Sequence, residues 1–406
     1  MANFDAALKD NYGPGLRNAV NNSNPVFTEV MTNDEDIVGR KAVWSVHTSR
    51  SASTGARAEL AALPTADRQR YTQVYDDLAF VYHTIKVSGQ AKALTRNDTG
   101  SFVRALESEL NGAEKDLKND LARQAFGQNI TINSVSYSGV IASVTSVSGA
   151  VITLGTAADD EVALDAASMR YFFIGEAISV INGSTGAVRG TANVTAVTAA
   201  TPSITLDATI AGVTDEDYIV RAGNLGNEIN GLRFLVNATA VYANIDPATV
   251  PNWAAVTVGS STTPVSEVLF NQADEKIVTD GNGDDADLLF LVEHSQRRKL
   301  AQQLQAQKRY DGAQTTLTAG WKGLQVANGT LVADRFCPVN DGFGINRAEM
   351  SRFVGLDFTW DDDDGKVLFK ALDGSDAVEA RFKAYFNLEA PTRNAHVRLT
   401  MSTPTF

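Results

Sequence analysis

The chain has 406 residues, with 35 Lys or Arg against 48 Asp or Glu, giving a formal charge of −13. Proteins that grip duplex nucleic acid carry a basic field that displaces counterions from phosphates, so this acidic balance argues against that class; 44% hydrophobic and 20% charged residues mark an ordinary globular composition. No run reaches the ~18 consecutive apolar residues of a spanning helix, and the start lacks a charged region leading into an apolar core.

The single cysteine, Cys337, has no partner for an internal disulfide or a cysteine-based zinc site. The expectation is a chain made and kept in a cytoplasm, with two or three domains at roughly 100–200 residues each.

Residues Met1 to Val38 are polar and turn-rich, with Gly13-Pro14-Gly15 and Asn21-Asn22-Ser23-Asn24-Pro25, and read as an arm. Ala42-Val43-Trp44-Ser45-Val46 is strand-like, and Phe80 to Val87 alternates in the same way. The two read as strands of one long ribbon. Between them, Thr48 to Arg70 is rich in Ser, Thr, Ala and Gly and carries Arg50, Arg57, Arg68 and Arg70 against Glu59 and Asp67, a basic loop on an acidic chain.

The clearest periodic element starts at Asp98, a suitable N-cap, and places Phe102, Leu106, Leu110, Ala113, Leu117 and Leu121 at intervals of three or four before Gly127. This predicts an amphipathic helix about 43 Å long at the α-helical rise. Composition then changes: Asn129 to Ala222 has no Lys or Trp and is dominated by Val, Thr, Ser, Ala and Gly. Within it, Ala142 to Leu154 and Ala192 to Leu206 echo each other as strand, turn, strand, which predicts a separate small barrel or sandwich.

After Gly223 the character is mixed. Thr263-Pro264 is expected to open a helix with Val265, Val268, Leu269 and Ile277 on one side. Asp287 to Val292 reads as a buried strand, followed by Ser295 as a cap and a polar helix from Gln296 to Lys308. The tail alternates through Val367, Phe369 and Ala371 and through Ala380, Phe382, Ala384 and Phe386 as strands.

Catalytic signals are sparse. His47, His83, His294 and His396 are scattered singly, without the nearby nucleophile and carboxylate that a histidine base requires. Asp280 to Asp287 resembles the first half of a calcium loop, but Asp285 stands where glycine is needed and Leu291 where the bidentate Glu belongs. Asp361-Asp-Asp-Asp364-Gly365 reads as a charged hairpin turn. No glycine loop for phosphates is present, so the sequence points to no catalytic residue, cofactor or metal site.

Taken in order, these segments resemble the major capsid proteins of tailed bacteriophages with the Hong Kong 97-type shell fold. The segment Asn97 to Gly127 resembles that family's spine helix, including its aromatic-Gly stop. Ile85-Lys-Val-Ser-Gly-Gln-Ala91 resembles the strand leading into it, and Gly39-Arg-Lys-Ala-Val-Trp-Ser-Val46 the strand entering the extended loop. Asp287 to Ser295 is similar to the strand and helix cap of the axial domain. The resemblance covers Met1 to Gly127 and, more loosely, Gly223 to the end.

The resemblance implies an α+β chain: an N-terminal arm over 1–40, an extended β loop over 41–90, and the spine helix and peripheral domain over 91–128. An inserted small all-β domain over 129–222, a mainly axial domain over 223–335 and a return to peripheral strands over 336–406 complete it. Phe102, Leu106, Leu110, Leu117 and Leu121 are the expected spine-helix core, and Arg50, Arg57, Glu59, Arg68 and Arg70 the expected inter-subunit residues of the loop.

The implied function is a shell built from pentamers and hexamers of this chain, in the virion, assembled in the bacterial host cytoplasm. A portal, a separate scaffolding protein and a decoration protein are expected partners, with packaged double-stranded DNA a non-specific neighbour and no membrane. Some relatives join subunits covalently through a Lys of the extended loop, but Thr48 to Arg70 has none, which implies a non-covalent shell. An extracellular glycan-binding β protein and an encapsulin-like compartment are the alternatives.

Overall fold

The computed structural model describes residues 24–90, 99–133, 135–155, 166–281, 288–306, 314–316, 322–362, 367, 369–370 and 376–405. Most of the arm, the Asp98 cap and Asn282 to Asp287 lie outside the described residues. Asn24 starts a short helix, Pro25–Glu29, where its side chain accepts from Val26 N and Pro25 occupies the first turn.

Strands β1 (Met31–Asn33), β2 (Ile37–Val38), β3 (Lys41–Ser49), β4 (Arg70–Asp77) and β5 (Ala79–Ser88) follow. The ribbon expected between Lys41–His47 and Phe80–Val87 is not formed. Instead β3 pairs antiparallel with β4, Trp44 opposite Val74, while β5 pairs with β21 (Ala377–Glu389), His83 opposite Phe382. Tyr71-Thr-Gln-Val-Tyr75 is as strand-prone as the run after it, and alternation marks strands without naming their partners. The chain changes course at Leu78, whose N–H donates to Arg40 O at 2.8 Å.

The first large sheet has the order β1, β19 (Ser351–Trp360), β21, β20 (Phe369–Lys370), with β5 on β21. The long helix, Thr99–Gln124, buries Ala113, Leu117 and Leu121 in a core shared with Phe353, Phe382 and Phe386 of this sheet. The side chains of Phe102, Leu106 and Leu110 lie outside the described residues. Aromatic rings fill the sheet's inner face: Phe358 stacks on Phe382 at 5.8 Å, and Phe27 of the short helix meets Phe386 edge-on at 6.0 Å.

Residues 128–221 form a closed barrel. Its strands are β6 (Gln128–Ile132), β7 (Val135–Ser148), β8 (Val151–Leu154), β9 (Ala177–Ile181), β10 (Val188–Thr198), β11 (Ser203–Leu206) and β12 (Tyr218–Arg221), and β12 pairs with both β9 and β7. Closure removes the open edges that would invite aggregation. The two echoing stretches become neighbouring hairpins, β7–β8 and β10–β11, joined where Ile204 lies opposite Ile152. Ile141, Val144, Ile152, Ile178, Val194 and Ile204 fill the interior.

The third region is a seven-stranded mixed sheet in the order β13 (Val256–Gly259), β22 (Val397–Thr400), β18 (Asp341–Asn346), β14 (Leu288–Val292), β17 (Gly329–Ala333), β16 (Lys322–Val326), β15 (Gln314–Thr316). Every residue of β14 is buried, as a central strand requires. Leu288, Phe290 and Val292 pack with helices Glu267–Asp280 and His294–Ala306, while Leu289 and Leu291 join the core under the long helix.

Two local expectations are corrected. The helix begins at Glu267, where Ser266 accepts from Leu269 N, and Val268 is 61% exposed, so it does not share the buried stripe. Ser295 is not the cap of the following helix; the Glu293 carboxylate accepts from Ser295 N and Oγ and does that work. Over 336–406, β18 and β22 lie in the seven-stranded sheet and β19 to β21 in the first.

Candidate assembly interface

The β3–β4 hairpin is built from one alternating pattern. Ala42, Trp44, Val46 and Val74 point into the body and are buried, whereas Tyr71 and Tyr75 face out, with Lys41 Nζ over the Tyr75 ring at 3.6 Å. Beyond Ser49 and Arg70 the chain leaves the body as an exposed loop.

The loop orders itself with few bonds. Asp67 Oδ2 accepts from Ala52 N at 2.9 Å, and Gln69 Oε1 accepts from Ser51 N at 3.2 Å and lies 2.8 Å from His47 Nε2. The backbone donors Ala52 N and Arg68 N hold the Asp67 carboxyl below its ordinary range. Arg57 folds back to donate from Nε to Ala62 O and from a terminal nitrogen to Ala56 O, bracing the turn in which Leu60 takes φ 62°. Leu60 and Leu63 are left 101% and 84% exposed.

Arg50, Glu59, Arg68 and Arg70 are also exposed on this loop, and among the described residues none of them forms an ion pair within 4.0 Å. Arg57 is therefore a brace as well as a charge. Leu60 and Leu63 carry only a weak sequence signal, two leucines inside an Ala- and Ser-rich hydrophilic segment.

A second exposed surface lies on the outer face of the first sheet. Phe80 and Tyr82 alternate with Val81 and His83, so the first pair faces solvent and the second the long helix. Phe80 meets Tyr385 edge-on at 4.9 Å, and the Tyr82 and Tyr385 hydroxyls lie 3.4 Å apart. Burial keeps His83 below its ordinary pKa, although Asp116 and Asp120 pull the other way.

Between the hairpin root, the long helix and the barrel runs a cleft of 1890 Å³. Its floor is an ion-pair chain: Arg123 binds Asp120 at 3.0 Å and Glu228 at 2.5 Å, and Arg221 of β12 binds both Asp120 and Glu176. Against the cost of burial, Arg123 and Arg221 hold the Asp120 carboxyl below its ordinary range. The chain ties the barrel to the long helix.

The aspartate runs have simpler roles where they are described. Asp361 pairs with Lys383 at 2.6 Å, while Asp363, Asp364 and most of the 280–287 run lie outside the described residues. His396 is buried, accepts from Asn346 N at Nδ1 and is pushed down to about 4 by burial. Cys337 is buried, its thiol pushed up by the same cause. Among the described residues, no group of three His, Cys, Asp or Glu side chains is placed to hold a metal ion.

No protein-family model matches the sequence, and no curated protein matches it by sequence. Solved structures do. The capsid asymmetric unit of cyanophage A-1(L) is 11% identical, with 97% of this chain and 93% of that chain covered, at TM-score 0.50. The capsid of a native GTA particle matches at 9% identity over 95% and 90% of the two chains, TM-score 0.45. A structure of mycobacterium phage Bobi matches at 10% identity over 94% and 91%, TM-score 0.42. The fold is α+β and is similar to that of the cyanophage A-1(L) capsid chain.

Proposed function

We propose that this chain is a major capsid protein, which closes with many copies of itself into the icosahedral shell around a tailed phage's double-stranded DNA. The observation that carries this reading is the loop beyond Ser49, with Leu60 and Leu63 in solvent and Arg50 and Arg68 without an ion pair among the described residues. Ordering such a segment costs roughly 1–2 kcal/mol per residue in backbone entropy. Burying Leu60 and Leu63 returns only about 1.5–3 kcal/mol each, so hydrogen bonds and ion pairs made on a neighbouring copy must supply the rest. A second copy supplies the surface that makes that exchange favourable.

The complementary surface is the face with Phe80, Tyr82 and Tyr385, where large rings already stand exposed or half-buried. Arg50, Arg57, Arg68 and Arg70 then meet acidic surface of the neighbour, which sets orientation more than affinity. The seven-stranded sheet forms the axial part that meets its copies in pentamers and hexamers. The barrel is an added domain on this frame. With no Lys from Thr48 to Arg70, the contact is non-covalent.

A formal charge of −13 fits a container whose wall does not grip its DNA. Portal, scaffolding and decoration proteins are the partners such a shell uses. The test is electron microscopy with sedimentation of the purified chain, alone and co-expressed with a candidate scaffolding protein. Closed shells are the expected result; a persistent monomer under both conditions overturns the reading.

A further inference from the structure

At the root of the hairpin the carboxyls of Asp76 and Glu389 interact, and among the described residues no cation pairs with either. Asp76 stands on β4 and Glu389 at the end of β21; Asn230 follows the barrel, and Tyr242 begins the turn that closes on Ile245. Asn230 Nδ2 donates to Asp76 Oδ2 at 2.7 Å, its backbone N donates to Asn387 Oδ1 at 2.8 Å, and Asn387 Nδ2 donates to Asp77 O at 2.9 Å. These bonds seat β4 on β21.

Tyr242 donates its hydroxyl to Glu389 Oε2 and accepts from Ala390 N at 3.3 Å. Glu389 is 0% exposed, and its Oε1 has no hydrogen-bond partner. Trp44 of β3, with its ring 6.0 Å from that of Tyr242, has an equally unpartnered indole N–H.

The charged groups facing this cluster are few. From β4 come Asp76 and Asp77, the latter held by Arg40 at 2.9 Å; from β21 comes Glu389; from the turn comes Tyr242. Arg393 lies 5.5 Å from the Tyr242 ring, but its guanidinium donates to Phe234 O, Leu235 O and Ala240 O. Two carboxylates in such a site repel, and removal from water disfavours the charged form of each. Burial first, and then Asp76, keeps Glu389 well above the usual carboxylate range, and burial raises Asp76 too.

We propose that Glu389, Tyr242 and Asp76 form a proton-held latch that seats the hairpin, and that ionising both carboxyls loosens its root. Only O–H bonds break, with the protons passing to water. Neutral, the cluster leaves the Asn230 and Asn387 bridges to hold β4. Doubly charged, it sets two anions against each other across the same seat. The latch concerns the single chain, so it stands or falls apart from the shell reading.

The test is pulsed hydrogen exchange of the full chain from pH 6 to 9, read on peptides covering β4 and divided by the intrinsic exchange rate. Wild-type protection of β4 is expected to hold at the lower end and then fall by about a hundredfold per pH unit across the window in which both protons leave, the signature of two linked protons. Barrel peptides serve as the control and keep their protection. Glu389→Gln, which mimics the neutral carboxyl, is expected to abolish the slope with β4 still protected, and Asp76→Asn to do the same. The latch is overturned by a flat wild-type profile, by a slope that survives in both variants, or by neutral variants whose β4 is unprotected at every pH.

Discussion

Arg123 of the long helix and Glu228 of the segment leaving the barrel pair at 2.5 Å with both side chains 5% exposed. Neither faces a simple partner, since Arg123 also holds Asp120, which Arg221 of β12 shares. The barrel therefore rides on the long helix through a buried charge chain and not through shared sheet pairing.

Removing one member of a buried pair leaves the other charge uncompensated, at a typical cost of about 3–5 kcal/mol. Glu228→Ala should lie at the lower end, because Asp120 still serves Arg123. The denaturant midpoint of the whole chain reads this loss. A variant within experimental error of wild type would mean that the chain of charges contributes nothing net.

Leu121, buried with Leu117 beneath the long helix, should lose about 2–5 kcal/mol on conversion to Ala, from lost transfer energy and an unfilled cavity. Leu117→Asp places an unpaired charge in the same core and should yield insoluble protein. The check is the soluble fraction and thermal midpoint of each variant.

Asp334 and His396 oppose each other in the pH dependence of stability. Asp334, whose backbone bond from Phe336 N measures 2.7 Å, is pushed by burial up to about 6, against its backbone bond and the nearby His294, Arg170 and Arg335. A raised folded-state pKa means that its contribution is fully present below its unfolded pKa and lost as pH rises through about 6. His396, held down to about 4 by burial, contributes above 6.5, and this is lost as pH falls towards 4. Asp334→Asn should remove the loss on the rising side and leave the variant more stable than wild type at pH 7 by about 1–3 kcal/mol. Unfolding midpoints at pH 5 and pH 7 decide it: the difference between variant and wild type must grow with pH.

Ala327 occupies φ 51° in the two-residue turn between β16 and β17. A left-handed alanine costs about 1–2 kcal/mol. Asn tolerates this region with less loss of chain entropy than Gly. Ala327→Asn should therefore raise the thermal midpoint by a few degrees. An unchanged or lower midpoint would show that the turn does not carry that strain.

Leu60→Ser with Leu63→Ser should leave the monomer as stable as wild type, since both side chains already lie in solvent, while impairing assembly. Arg57→Glu should act differently, because it also removes the brace to Ala56 O and Ala62 O. Particle yield by sedimentation separates the two effects. Normal particles from the double serine variant would remove the loop tip from the contact.

The long helix was legible because one stripe of leucines at helical spacing must be buried whatever else the chain does. The barrel was legible as a β region from its missing Lys and Trp and its echoing hairpins, although closure depended on β12 finding β7 across the intervening chain. Strand partners were another matter: alternation in Lys41 to His47 fits Arg70 to Asp77 and Phe80 to Val87 equally, and only the seating of β5 on β21 leaves β4 for the hairpin. The cluster of Asp76, Asn230, Tyr242 and Glu389 had no sequence signal at all. Its members come from strands and a turn far apart in sequence, and a carboxyl's state is set by what surrounds it in space, so packing alone decided that these two acids meet.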